Sequence, residues 1–208
     1  MHIGIIGTGR IGGTLGRRLA ELGEEVFFGS RKPAKAASIA AEVGHAARGG
    51  SYEEAAGFGE VVMLATPWNV TLDLVRELAG ELAGRVLVDI TNPIAPGGTL
   101  ALGHRTSAAE EIAAAAPEAK VVKAFNAVYF EVIADPAFPG GRPLLTVAGD
   151  DPEARGTVIE LGGRLGFEAV DAGPLRNARL LEPLAMLWIQ LAFNLGQGTD
   201  TAFGWLRR

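Results

Sequence analysis

Gly7, Gly9 and Gly12, with Thr8, Arg10 and Ile11 between them, are spaced to bring bare backbone against an anion. Gly7 permits a tight turn, Gly9 puts no Cβ between the backbone and a phosphate, and Gly12 lets a helix start close to a strand. Ser30 lies 23 positions after Gly7 and is followed by Arg31 and, one helical turn on, Lys35. A hydroxyl can donate to a phosphate oxygen, a guanidinium can fork onto two, and an ammonium adds a point charge. The chemistry these residues suit is phosphate recognition at two places, a pyrophosphate and a single phosphate.

The elements around them have the order that such a site needs. The apolar run Ile3 to Ile6 reads as a strand entering the glycine turn, and Ile11 to Leu22 reads as the helix leaving it. The free N–H groups of that helix's first turn then face the anion. Glu25 to Phe28 reads as a second strand ending at Ser30. In NAD-preferring folds of this type, an acidic side chain near that strand end accepts from the ribose hydroxyls. None is present here, and the basic cluster in its place points to a 2′-phosphate, so the expected cofactor is NADP(H).

Later strand ends supply the rest of the rim. Val61 to Ala65 is an apolar run too short for a helix and suited to a parallel strand covered on both faces. It ends in Thr66, Pro67, Trp68 and Asn69; Trp68 is expected either to line the cleft or to cap the next helix. Arg85 to Ile90 ends in Thr91, Asn92 and Pro93, and Lys120 to Ala124 ends in Phe125, Asn126 and Ala127. Parallel strands place all these ends on one rim, where open α/β sheets bind ligands. Thr66, Pro67, Trp68, Asn92, Pro93, Asn126 and Ala127 are therefore candidate cofactor residues beside the glycine turn. Asp89, a lone acid at a strand end with no base near it in sequence, is left without a role, and no residue is assigned as catalytic.

The remaining chain yields a short third strand within Ala46 to Ser51, helices over Ser38 to Val43, Tyr52 to Ala56 and Leu72 to Leu82, and a long loop from Ile94 to Arg105. Ser107 and Glu110 fit a capping box before a helix ending at Ala116. Strands over Pro143 to Ala148 and Glu168 to Asp171 flank a helix from Asp151 to Leu165. The expected fold is α/β, a doubly wound Rossmann-type parallel sheet with a small C-terminal α/β and helical portion. Residues 1–135 are expected to form the NADP-binding domain and 136–208 the smaller portion packing on it. Leu180, Leu184, Leu187, Leu191 and Leu195 recur at helical spacing, with a break expected near Glu182 because Pro183 follows. That stripe must be buried, on its own domain or against a second copy. Arg176 and Arg179 suit either an acidic acceptor tail or, more simply, a solvated face.

Composition excludes several classes. The chain has no cysteine and three scattered histidines, so thiolate chemistry is absent and a metal centre is not expected. Its net charge of −5 gives no general attraction to nucleic acid. No segment reaches the ~20 apolar residues of a membrane span, and no signal-peptide pattern is seen, so a cytoplasmic protein is expected.

The strings Gly29-Ser30-Arg31, Thr66-Pro67-Trp68, Ala148-Gly149-Asp150-Asp151 and Asp171 to Arg179, added to the glycine turn, resemble the NADP oxidoreductases dependent on coenzyme F420. The resemblance covers nearly the whole chain. It implies a Rossmann domain, frequently in a homodimer, that passes hydride between NADPH and a flavin-like ring. It also implies that Thr8 to Ile11 hold the pyrophosphate region and that Ser30, Arg31 and Lys35 hold the 2′-phosphate. At Asn126 that family usually carries histidine, so the acceptor is expected to be coenzyme F420, another flavin, or a small imine or carbonyl compound. A domain that binds NADP(H) without turnover is the remaining alternative.

Overall fold

The computed structural model describes residues 1–208. It contains one eight-stranded sheet in the order β3-β2-β1-β4-β5-β6-β7-β8. The strands are β1 (His2–Ile6), β2 (Glu25–Gly29), β3 (Arg48–Gly50), β4 (Val61–Leu64), β5 (Val86–Asp89), β6 (Lys120–Lys123), β7 (Leu144–Gly149) and β8 (Glu168–Asp171). β1 to β6 are mutually parallel, β7 runs antiparallel to β6, and β8 is parallel to β7. Strand order reverses between β1 and β4, and the crevice above that switch point is where this kind of sheet takes ligands.

Eight α-helices connect the strands, α1 (Arg10–Glu21), α2 (Pro33–Val43), α3 (Tyr52–Phe58), α4 (Trp68–Glu77), α5 (Ala79–Leu82), α6 (Ala108–Ala115), α7 (Phe130–Ala134) and α8 (Pro152–Arg164), and a ninth, α9 (Ala178–Ile189), follows β8. They bury the sheet on both faces, which is why β1 and β4 read as continuous apolar runs. One core packs Leu15, Leu19, Phe28 and Phe167. The other packs Val75, Leu78, Leu87 and Ile112. No helix is long and apolar enough to cross a membrane.

Three local expectations need correction. The run from Leu72 to Leu82 is two helices, because the chain turns at Leu78. Ser107 accepts from the Glu110 N–H, yet its capping box is half built, since the Glu110 carboxylate is drawn to Arg179. No break occurs near Glu182. α9 is continuous with Pro183 inside it, although an interior proline costs a helix ~3 kcal/mol. Leu181, Glu182, Ala185, Met186 and Trp188 are buried on a face different from the leucine stripe, with Glu182 paired to Lys123 of β6 and Trp188 against Tyr129 and Phe193. Leu180, Leu187 and Leu195 stay exposed, at 68%, 51% and 66%.

Candidate functional site

The glycine turn has the geometry its letters imply. Gly7 has φ +112°, and a Cβ there would lie 2.5 Å from the Ala65 carbonyl oxygen. A Cβ on Gly12 would collide with the Gly7 carbonyl, so α1 can start only because that residue is glycine. Gly9 is different: a Cβ would meet nothing within 4 Å, so its bareness leaves space rather than relieving a packing contact. Gly9 is also the N-cap of α1 and offers no side chain to cap it. The N–H groups of the first turn therefore point at open space.

That space is a cavity of about 800 Å³ lined by Gly7 to Ile11, Ser30, Arg31, Lys32, Lys35, Tyr52 and Ala65 to Pro67. Ser30 is held by the register of β2 against β1, in which Ile6 faces Gly29. Its Oγ accepts from the Lys32 N–H at 3.2 Å, which leaves the hydroxyl proton free to donate. Arg31, Lys32 and Lys35 are exposed and none is paired with a carboxylate. Lys32, the ammonium next to Arg31 in the basic run, had no role assigned from sequence and lines the cavity with the others. Arg10 is exposed at the mouth, its guanidinium 5.4 Å from the Phe130 ring centroid.

A second cavity of about 570 Å³ shares Ile11, Ala65, Thr66 and Pro67 with the first and continues past Trp68, Asn69, Ile90, Thr91 and Asn92 to Ile94, Ala95 and Pro96. Its lining has no charged residue. Trp68 is both the first residue of α4 and part of this wall, so the two expectations for it coincide. Thr66 donates to or accepts from Thr71 at 2.8 Å, and Thr71 bonds the Pro67 carbonyl, which fixes the turn after β4.

Pro93, Asn126 and Ala127 stand outside the walls of both cavities. Asn126 acts through Asn92: its Nδ2 donates to Asn92 Oδ1 at 3.1 Å and to the Leu181 carbonyl at 2.9 Å, while Asn92 Nδ2 donates to the Asn126 carbonyl at 2.8 Å. Phe125, just before it, has φ +59°, a left-handed conformation uncommon for a bulky side chain. Arg179 is engaged within the chain. It is bidentate on Glu110, at 2.8 and 2.7 Å, and this pairing holds the Glu110 carboxyl below its ordinary range.

Asp89 is not alone. It faces Lys123 across β5 and β6; Lys123 Nζ donates to Asp89 Oδ2 at 2.8 Å and to the Thr91 carbonyl at 2.5 Å, and is ion-paired with Glu182 Oε1 at 3.0 Å. All three ionisable side chains are fully buried or within 1% of it. Burial pushes the Glu182 carboxyl up, opposed by Lys123 and by the Ala108 N–H. Sequence reasoning missed this cluster, although the alternation of Leu87 with Asp89 and of Val121 with Lys123 places both charges on one buried face.

Comparison with known proteins follows the same residues. The family model described as NADP oxidoreductase coenzyme F420-dependent matches residues 2–93. The chain is 33% identical over 211 aligned residues to F420-dependent NADP reductase of Methanocaldococcus jannaschii, covering 92% of each. It is 35% identical to metalloreductase STEAP3 of Rattus norvegicus, of which it spans 37% of the length and 89% of its own. The crystal structure of a proposed F420-dependent NADP reductase from Arthrobacter sp. FB24 superposes with a TM-score of 0.90 at 32% identity, covering both chains completely. The chain belongs to the family of coenzyme F420-dependent NADP oxidoreductases.

Proposed function

We propose that this protein exchanges hydride between NADP(H) and a flavin-like ring, that of coenzyme F420 in the first instance. One observation carries the reading. Four cations without a carboxylate partner, Arg10, Arg31, Lys32 and Lys35, and a free hydroxyl line the same cavity as the bare glycine turn, and that cavity shares a wall with a second one without charge. The first suits a dinucleotide with an extra phosphate, the second a pair of stacked rings.

Ser30, Arg31, Lys32 and Lys35 would hold the 2′-phosphate. Thr8 to Ile11 would hold the pyrophosphate on the N-terminus of α1. Thr66 to Trp68 and Thr91 to Asn92 would flank the nicotinamide. NADPH, when bound, supplies the hydride. The task left to the chain is to align two rings and keep water out, which requires no acid or base in contact with them. The apolar lining of Ile11, Ala65, Ile90 and Ile94 serves that end.

Relatives named F420-dependent NADP reductase support coenzyme F420 as the acceptor. The test is anaerobic stopped-flow oxidation of NADPH with coenzyme F420, FMN, FAD and riboflavin in parallel. Fast oxidation by at least one of them is expected, and oxidation by none would overturn the reading.

We further infer a homodimer, supported by the exposed Leu180, Leu187, Phe193 and Leu195 on α9 and its continuation. Dependence on NADPH supports a cytoplasmic setting.

A further inference from the structure

The Asp89–Lys123–Glu182 cluster lies beneath the uncharged cavity and is used by nothing described so far. Lys123 donates to Asp89 and to the Thr91 carbonyl and is ion-paired with Glu182, so three oxygens surround its ammonium. Asp89 Oδ1 accepts from the Thr91 N–H at 2.8 Å, so the peptide groups on both sides of Thr91 are gripped from below. Glu182 accepts in addition from the Ala108 and Ala109 N–H groups, at 3.1 and 3.3 Å, at the start of α6. The cluster thus joins three things: the rim at Thr91, the first turn of α6, and the middle of α9.

A second tie runs parallel to it. Asn126 bonds the Leu181 carbonyl, next to Glu182, and Asn92, next to Thr91. Thr91 and Asn92 are walls of the uncharged cavity. Any displacement of α9 is therefore passed to that wall through two independent sets of bonds. Burying three charges is an expensive way to fasten a helix, since apolar residues of the same volume do it as well or better. What charged, paired groups add is a fixed geometry.

We propose that Lys123, held between Asp89 and Glu182, is a positioning residue for hydride transfer: it registers α9 against the Thr91–Asn92 wall and so sets the spacing of the two rings in the cavity. The proposal rests on the hydride-transfer reading of that cavity. It assigns the cluster no contact with either ring. It also explains why α9 carries an interior proline without breaking, because the residues on either side of the Leu181–Glu182 peptide are fixed by the sheet rather than by the helix alone.

Two substitutions at one position separate positioning from mere stability. Glu182→Gln keeps an acceptor for Lys123 and the Ala109 N–H, which both meet Oε1, and gives up only the one for the Ala108 N–H. Glu182→Ala cuts the link to α9 and leaves the Asp89–Lys123 pair neutral as a whole. The readouts are NADPH affinity by fluorescence titration, melting temperature, and the single-turnover rate of hydride transfer to the acceptor that the wild-type protein uses. Glu182→Ala is expected to lower the transfer rate about 10- to 100-fold, the scale of a misplacement on the order of 1 Å, with NADPH affinity within about twofold because the phosphate sites lie elsewhere. Glu182→Gln is expected to stay within about threefold of wild type on the same argument. A variant with Asp89→Asn, Lys123→Met and Glu182→Gln together removes all three charges without orphaning one, and it should bind NADPH normally and transfer slowly. An unchanged transfer rate in Glu182→Ala and in the triple variant would overturn the proposal. So would losses of NADPH affinity in step with melting temperature and rate. A wild-type protein that transfers hydride to no acceptor overturns the function itself, an outcome distinct from either.

Discussion

Asn92 and Asn126 hold each other across the ends of β5 and β6 by two hydrogen bonds, and the second amide proton of Asn126 reaches the Leu181 carbonyl on α9. Asn126 is 7% exposed, so water cannot replace what a substitution removes. Asn126→Ala should therefore cost about 1 to 3 kcal/mol, the penalty for stranding a buried partner. Asn126→Asp should cost more, because a carboxylate would face the Leu181 carbonyl and Asn92 Oδ1 with no proton to offer. Urea unfolding of the three proteins gives the order, and an Asp variant as stable as wild type would contradict it.

The glycine turn separates packing from binding. Gly12→Ala drives a Cβ into the Gly7 carbonyl, so the start of α1 must shift; a loss of roughly 1 to 3 kcal/mol of stability is expected together with loss of NADPH binding. Gly9→Ala meets nothing within 4 Å and keeps an ordinary φ of −78°. Its melting temperature should match wild type while NADPH affinity collapses, because the methyl occupies the path of the phosphate. Calorimetry beside fluorescence titration distinguishes the two, and a Gly9→Ala protein that binds normally would remove the turn from the site.

Much of this was legible in the chain because it is local. The strand, turn and helix around Gly7 and the basic run after Ser30 are contiguous, and short apolar runs between turn residues located all eight strands. The strand pattern puts Asp89 and Lys123 on a buried face, but their joining with Glu182 was not legible, since the three lie on β5, β6 and α9 and no short window contains two of them. The leucine stripe misled for a related reason. Periodicity reports that a face is apolar, and α9 has two such faces: Leu181, Ala185 and Trp188 are buried, while Leu180 and Leu187 are exposed. Pro183 was read by its helix propensity, which tertiary anchoring overrides.

Arg31 tests the choice of cofactor. Its guanidinium has no carboxylate partner and shares a cavity with Ser30, Lys32 and Lys35. Arg31→Ala should weaken NADPH by ~1.5 to 3 kcal/mol through loss of a charge-assisted bond, and NADH hardly at all. Dissociation constants for both nucleotides at one ionic strength provide the comparison. Equal losses would show that Arg31 does not read the 2′-phosphate.

The leucine stripe tests the dimer. Leu187 is 51% exposed in the single chain, so Leu187→Glu should leave a monomer folded while placing a charge in any interface along α9. Sedimentation is expected to show a dimer for wild type and a monomer for the variant, each with native circular dichroism. A wild-type monomer at micromolar concentration would refute the interface.

Glu182 gives a pH test whose sign is fixed by its burial. Its carboxyl is pushed above the ordinary value of 4.5, first by desolvation and only partly opposed by Lys123. A raised pKa stabilises the folded state fully below 4.5, and that contribution is lost as pH rises through the folded value. Glu182→Gln has no proton to lose and no such dependence. The stability of wild type minus that of Glu182→Gln should therefore fall with increasing pH above 4.5, by at most about 1.4 kcal/mol per pH unit, and level off once the carboxyl has ionised. Asp89, Lys123 and the α6 N-terminus face the carboxyl in both proteins, so the difference isolates this one group. Urea titrations at half-unit steps supply the curve. A flat difference would mean that Lys123 and the helix N-terminus offset the desolvation completely, and a rising one would mean that they exceed it.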